Sequence, residues 1–290
     1  MPKDFEAAVR EHGNVFTPMM IPEMFEVSAT LFEELPPSGV VITRDHSYGP
    51  DDRNRLDIHR PSADAKALPA LVFVHGGGFI QGDKQMPETP FYDTLGRWAV
   101  EAGYAGVTMT YRLAPQSTWP SGADDVGGAV SWLRENAAQH GIDPEKIVVI
   151  GQSAGAAHTA DYVAGHGGNT PEIAAAVLMS GIFDARIGEP FLPNFIYYGQ
   201  DESQREAQSS IAGLARFDKP LLFGMAQLDP PNFQEQTLAA VNAYFEEQGT
   251  LPALAYASGH NHITSVLHVG SADTAYGDSI LRFIKEALRG

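Results

Sequence analysis

The chain has 290 residues, of which 43% are hydrophobic and 19% charged, so we expect one compact globular unit rather than a disordered chain. The net charge of −17 argues against nucleic acid and anionic membrane surfaces as partners. Because the chain has no cysteine, disulfides, thiolate chemistry and Cys-ligated zinc are excluded. The sequence has no secretory leader and no apolar run of membrane-spanning length, so we expect a cytoplasmic protein.

The first predicted element is an amphipathic helix over Pro22–Leu35. Its apolar residues recur at helical spacing and share one face: Ile21, Met24, Phe25, Phe32 and Leu35. That face either covers the core or forms part of a cap over a functional site, and the pattern leaves both interpretations open. We therefore treat residues 1–37 as a predicted cap element.

A mostly parallel sheet is predicted downstream. Val40–Thr43 and Leu56–His59 flank a turn-rich spacer, which indicates an antiparallel pair at one sheet edge. Six short apolar runs follow, and longer segments of helical character separate them, as in β-α-β units covered on both faces. The runs are Leu71–His75, Ala105–Tyr111, Ile147–Gly151, Ala174–Ser180, Pro220–Met225 and Ala253–Ser258.

Two helices have recognisable ends. Asp124–His140 should stop at Gly141, and Gly277–Leu288 should close the chain. The connection between Ser180 and Pro220 is longer than a plain loop, so residues 181–216 are a second predicted cap element. Its aromatic segment, Phe191–Tyr198, either lines a substrate pocket or packs on the core. No repeat or linker divides residues 1–290, which we interpret as a single α/β domain.

A candidate nucleophile follows the strand at Ile147–Gly151. The segment Gly151-Gln152-Ser153-Ala154-Gly155 matches G-x-S-x-G, and small helix-compatible residues come after it. A serine at a sharp strand-to-helix turn is lifted clear of the sheet, and the flanking glycines let neighbouring backbone approach. The strand and helix around the motif make Ser153 the predicted nucleophile.

A glycine-rich loop follows the strand at Leu71–His75. His75 precedes Gly76, Gly77 and Gly78, and such a run is costly to order unless backbone must approach something closely. The backbone N–H groups of Gly77 and Gly78, together with that of Ala154, could bind the negative oxygen of a tetrahedral intermediate. No phosphate-binding glycine pattern surrounds this loop. We predict an oxyanion hole here, with His75 in a structural role.

These motifs resemble those of the α/β-hydrolase carboxylesterases, particularly the branch related to hormone-sensitive lipase. The matching segments run from Leu71 to His262: His75–Phe79, Tyr111–Pro115 with Trp119-Pro120, Asp143–Gly155, Gln227–Pro230 and Gly259–His262. Two residues depart from the pattern, because Gln152 stands where Asp is common and Ala156 where Gly is common. The last segment is also similar to feruloyl esterases and arylformamidases.

The resemblance implies an α/β-hydrolase fold under a small cap, no cofactor, and hydrolysis of short-chain carboxylic esters. In this fold the acid and then the histidine follow the nucleophile, each after a strand. Asp229 is the acid that the family pattern supports. Both His260 and His262 follow the last strand, and we favour His262 as the base because relatives place the base before an apolar residue, here Ile263.

The substrate class stays open at this point. We expect a small-molecule ester, and the alternative is amide or formamide hydrolysis by the same triad. A non-catalytic ligand-binding role, as in the family's gibberellin receptors, is a third interpretation, which the presence of a suitable histidine disfavours. The other histidines do not form helix-spaced ligand sets, so no metal is expected. Homodimer formation is compatible with the sequence.

Overall fold

The computed structural model describes residues 3–17, 19–32, 39–62, 67–188 and 192–289. Its centre is one eight-stranded sheet in the order β1-β2-β4-β3-β5-β6-β7-β8. The strands are β1 (Val40–Ser47), β2 (Arg55–Pro61), β3 (Leu68–Val74), β4 (Ala105–Met109), β5 (Ile142–Gln152), β6 (Ala175–Met179), β7 (Leu221–Leu228) and β8 (Ala253–Asn261).

The sheet is mostly parallel. Strand β1 pairs antiparallel with β2, and β2 pairs antiparallel with β4, whereas each remaining neighbour is parallel. The predicted antiparallel edge pair and parallel sheet are therefore confirmed. Strand β5 lies between β3 and β6, where both sheet faces are covered, so its apolar run Ile147–Ile150 is buried.

Helices cover both faces of the sheet. They are α1 (Lys3–His12), α2 (Met20–Ala29), α3 (Asp93–Glu101), α4 (Ser121–Glu135), α5 (Ala137–His140), α6 (Ala154–Val163), α7 (Leu192–Tyr198), α8 (Ile211–Arg216), α9 (Pro231–Gln248), α10 (Thr264–Leu267) and α11 (Ala275–Ala287). One buried cluster packs α4, α6, α8 and α9 on one face, and a second packs α3, α10 and α11 on the other. The carboxyl ends of the parallel strands are thus free to present functional loops.

Several boundaries differ from the predictions. The helix expected over Asp124–His140 begins at Ser121 and is interrupted at Asn136, before a last short turn. It does end at Gly141, which takes the left-handed conformation (φ 60°) that favours glycine. The closing helix runs over Ala275–Ala287 rather than Gly277–Leu288.

The N-terminal helices pack on the region that follows β7 and β8. Helix α2 ends at Ala29 and a 3-10 turn covers Thr30–Phe32, so the predicted helix is shorter, and Leu35 lies outside the described residues. A buried cluster joins α1 to α2 and contacts Leu228 and Ile263. The cap role of residues 1–37 stays a prediction.

The second predicted cap element contains α7, a 3-10 turn at Glu202–Gln204, and α8. Tyr197 and Tyr198 are buried against Phe79, whereas Leu192 is exposed, and Phe191 lies outside the described residues. The two tyrosines therefore pack on the core. Among the helices of the described residues, none combines the length and apolar character that a bilayer crossing requires.

Candidate active site

Ser153 occupies a sharp turn between β5 and α6. Its backbone has φ 54° and ψ −119°, a strained conformation for a residue with a side chain. A Cβ at Gly151 would collide with the backbone of Gly155, and a Cβ at Gly155 would collide with the carbonyl oxygens of Val74 and His75. Both glycines are needed because β3, β5 and α6 approach one another through backbone alone.

The structure brings Ser153, His262 and Asp229 into one line. His262 Nε2 lies 2.9 Å from Ser153 Oγ, and His262 Nδ1 lies 2.8 Å from Asp229 Oδ1. Because an ionised carboxylate only accepts hydrogen bonds, Nδ1 carries the ring hydrogen, and Nε2 is left to accept the Ser153 hydroxyl. In this arrangement, His262 Nε2 can accept the proton of the Ser153 hydroxyl without a large movement of either side chain.

Asp229 is fully buried at the end of β7, and its second oxygen is also satisfied. Asp229 Oδ2 accepts hydrogen bonds from Ser180 Oγ at 2.7 Å and from the backbone N–H of Ala226 at 2.7 Å. These donors fix the carboxylate so that Oδ1 faces the imidazole. Ser180 was not predicted as a site residue, because the apolar pattern of Ala174–Ser180 does not indicate that its last residue hydrogen-bonds a distant carboxylate.

The loop that carries His262 is anchored on several sides. Asn261 Oδ1 accepts the backbone N–H groups of Ile263 and Thr264, and Gln152 Nε2 donates to the His262 carbonyl at 3.0 Å. The imidazole itself lies against the rings of two phenylalanines, Phe16 and Phe233, and is nearly inaccessible to solvent. Gln152, which departs from the carboxylesterase pattern, thus ties the nucleophile turn to the histidine loop.

His260 has a different environment. Strand β8 continues to Asn261, beyond the predicted end at Ser258, so His260 lies in the strand and not on the loop. Its Nε2 lies 3.1 Å from Asp273 Oδ2. Among the described residues, the imidazole that hydrogen-bonds Ser153 is that of His262.

The glycine loop passes beside the nucleophile. A Cβ at Gly76 would lie 3.2 Å from that of Ser153, so the loop touches the turn. Gly77 and Gly78 have φ values of 134° and 60°, which favour glycine. Ala154 is the first residue of α6, where backbone N–H groups have no acceptor within the helix. The three predicted oxyanion donors therefore belong to segments that meet at Ser153.

His75 supports this loop from below. Its Nδ1 lies 2.6 Å from the Gly76 carbonyl oxygen, and its ring stacks on Tyr111, whose hydroxyl donates to the His75 carbonyl. Burial lowers the pKa of His75 to about 3, although the Gly76 carbonyl opposes that shift. A neutral, buried ring in these contacts fits the structural role that we predicted.

The sequence is similar to known esterases over part of its length. The BD-FAE family model matches residues 56–186. Esterase LipQ of Mycobacterium tuberculosis is 31% identical over 223 residues, which is 68% of this chain and 52% of LipQ. Carboxylesterase NlhH of the same organism is 39% identical over 99 residues, which is 34% of this chain and 30% of NlhH. The chain thus spans about half the length of LipQ and less of NlhH.

Solved structures show the same architecture over the whole chain. Esterase B of Lactobacillus rhamnosus superimposes with a TM-score of 0.76 at 17% identity, covering 99% of this chain and 96% of that one. An esterase of Pyrobaculum calidifontis gives a TM-score of 0.72 at 21% identity and covers all of both chains. The chain therefore has the α/β-hydrolase fold, as predicted. Within that fold, its named relatives are carboxylesterases, which confirms the resemblance seen in the motifs.

Proposed function

We propose that this chain is a serine esterase that hydrolyses short-chain carboxylic esters through an acyl-enzyme intermediate. One observation carries the proposal: the unbroken hydrogen-bonded line from Asp229 through His262 to Ser153, at 2.8 and 2.9 Å. In such an arrangement the serine can act as the nucleophile, the histidine as the general base, and the carboxylate as the group that orients the histidine. The names of the relatives point to the same reaction class.

In the proposed acylation, His262 Nε2 takes the hydroxyl proton while Ser153 Oγ attacks the ester carbonyl. The carbonyl oxygen becomes negative and is held by the backbone N–H groups of Gly77, Gly78 and Ala154, each donor of this kind being worth about 3 kcal/mol in the transition state. When the tetrahedral intermediate collapses, His262 gives its proton to the leaving alcohol. Asp229 stabilises the imidazolium throughout.

In the proposed deacylation, water replaces the alcohol. His262 takes a proton from the water, and the resulting hydroxide attacks the acyl carbonyl in the same oxyanion hole. Collapse of the second intermediate returns the proton from His262 to Ser153 and releases the carboxylic acid. The reaction needs no group beyond those already described.

The preference for short acyl groups is supported by a packed aromatic wall next to the nucleophile. Phe79 stacks on Tyr197 with ring centroids 4.5 Å apart, and Tyr198 meets both rings edge-on. This cluster includes Ala154, which follows the nucleophile, and Phe233, which contacts the His262 ring. Because this cluster is buried and closely packed beside the nucleophile, we propose that it limits the length of the acyl group.

Labelling and turnover test the proposal together. A fluorophosphonate should label wild type at Ser153, and p-nitrophenyl acetate and butyrate should be cleaved faster than the octanoate. Ser153→Ala should lose labelling and lower kcat by about 10⁶-fold, because the nucleophile is gone. Ser258→Ala, a matched change at an exposed serine on β8, should keep both. Faster cleavage of anilides or N-formyl substrates would instead support an amide or formamide hydrolase, and unchanged Ser153→Ala turnover would refute the triad.

A further inference from the structure

Three side chains of types that can bind a metal ion meet near the loop that carries His262: His260, His268 and Asp273. His260 comes from β8, His268 follows α10, and Asp273 precedes α11. One ligand atom from each lies within 4.8 Å of the other two. Asp273 Oδ2 lies 3.1 Å from His260 Nε2 and 4.0 Å from His268 Nδ1, so the carboxylate faces both rings.

Both rings are buried and poorly satisfied. His260 and His268 are each 2% exposed, and their rings pack edge-on against each other with centroids 4.5 Å apart. Both nitrogens of His268 and Nδ1 of His260 have no hydrogen-bond partner among the residues that the structure describes. A buried polar atom without a partner costs about 1–3 kcal/mol, so three of them in one place need an explanation.

The chemistry of these groups is that of metal ligands. An imidazole nitrogen is a ready ligand for zinc and copper, and zinc also accepts a carboxylate oxygen. The ring nitrogens of His260 and His268 that have no hydrogen-bond partner among the described residues are available to bind such an ion.

We propose that His260, His268 and Asp273 form a binding site for one divalent transition-metal ion, with zinc as the best fit. Zinc takes imidazole nitrogen and carboxylate oxygen at about 2.0–2.2 Å in tetrahedral geometry, which places ligand atoms roughly 3.3 Å apart. The distances from Asp273 Oδ2 to the two rings, 3.1 and 4.0 Å, lie on either side of that spacing. Because the Asp273 side chain is about one quarter exposed, water can reach the fourth position.

These three side chains are not spaced along one helix, which is the pattern whose absence led us to expect no metal from the sequence. They come from a strand and two helix boundaries that the fold brings together. A bound ion would tie the end of β8 to the start of α11. It would therefore hold both ends of the segment that contains His262, without touching the reacting atoms.

Zinc titration of the full chain tests the proposal. The protein is treated with EDTA, dialysed, and titrated with zinc chloride by calorimetry at pH 7.5 in excess magnesium, which occupies weak carboxylate sites on this acidic surface. We expect one zinc per chain. At zinc 100-fold above Kd, the melting temperature should rise by roughly 4–5 °C. Cobalt(II) should give the visible absorption of a four-coordinate ion.

Variants separate this site from adventitious binding. Asp273→Asn should weaken zinc binding at least tenfold, and His268→Asn should abolish the stoichiometric phase. Asp278→Asn, an exposed carboxylate in the first turn of α11, is the matched control and should bind zinc as wild type does. Absence of a one-to-one phase in wild type, or equal zinc affinity in the Asp273 and Asp278 variants, would overturn the proposal. None of these measurements depends on esterase activity.

Discussion

Two histidine–aspartate pairs lie next to each other in this molecule and have different surroundings. His262 and Asp229 are 2.8 Å apart, and His260 and Asp273 are 3.1 Å apart. All but Asp273 are almost fully buried. The second nitrogen of His262 faces a hydroxyl, whereas that of His260 has no hydrogen-bond partner among the described residues.

The difference shows that a buried histidine–carboxylate pair does not by itself define a catalytic site. What distinguishes the two pairs is the group opposite the carboxylate. The His262–Asp229 pair faces the hydroxyl of Ser153, so His262 is a candidate general base. The His260–Asp273 pair faces a second imidazole, that of His268, so these three side chains are a candidate metal site. Substituting one member of each pair at a time tests whether this difference in surroundings determines function.

The largest effect is expected from the histidines themselves. His262→Gln should lower kcat for p-nitrophenyl butyrate by about 10⁵-fold or more, because no base remains for the Ser153 proton. His260→Gln should lose less than tenfold, since its ring is directed at Asp273. Steady-state kinetics of the two variants measures both losses, and circular dichroism checks that each variant is folded. Equal losses in the two variants would contradict our assignment of the base.

The next effect comes from the carboxylate. Asp229→Asn should lower kcat by about 10⁴-fold, because the amide cannot stabilise the imidazolium and favours the wrong ring tautomer. KM should change much less, since Asp229 is buried away from substrate. Asp278→Asn serves again as the exposed control. Retention of more than about a tenth of wild-type kcat would show that Asp229 does not orient the base.

A third buried histidine, His158, differs from both pairs because neither of its ring nitrogens has a hydrogen-bond partner among the described residues. His158 is enclosed by Phe79, Tyr111 and Tyr197, and burial together with His75 lowers its pKa to about 3. The unfolded chain binds the proton near pH 6.5 and the folded one only near 3, so this residue lowers the free energy of unfolding as pH falls between those values.

The size of that contribution can be measured. When the pH falls from 7 to 5, His158 should lower the free energy of unfolding by about 2 kcal/mol. His158→Leu should remove this loss, whatever its packing cost, because the comparison is between two pH values within one variant. Urea unfolding at both pH values gives the number. An unchanged difference in the variant would mean that His158 is protonated in the folded state.

Local patterns were enough to predict most of the fold. The predicted edge pair and the six apolar runs located the eight strands, and Gly141 marked a helix end because a left-handed residue is needed there. The strand, glycine and serine pattern around Ser153 also predicted the turn that the structure contains. Strand ends were less accurate: β5 begins at Ile142, since Asp143 and Pro144 continue in extended backbone.

Long-range contacts could not be predicted from the local sequence pattern. Nothing local distinguishes His260 from His262, and the extra length of β8 decides which one lies on the loop. The supporting bond from Ser180 to Asp229 joins residues 49 apart in the chain, and the cluster at Asp273 joins three separate segments. Such sites depend on which strand ends are neighbours, which single-sequence periodicity does not report.

The close approach of backbone at Gly151 and Gly155 fixes the position of the Ser153 turn. Side chains exchange between rotamers, so the position of an atom that is held by side chains varies with those rotamers. The turn at Ser153 rests instead on main-chain atoms of β3 and α6, which have no such alternatives. Substitutions in the surrounding core should therefore change the stability of this protein well before they displace its reactive oxygen.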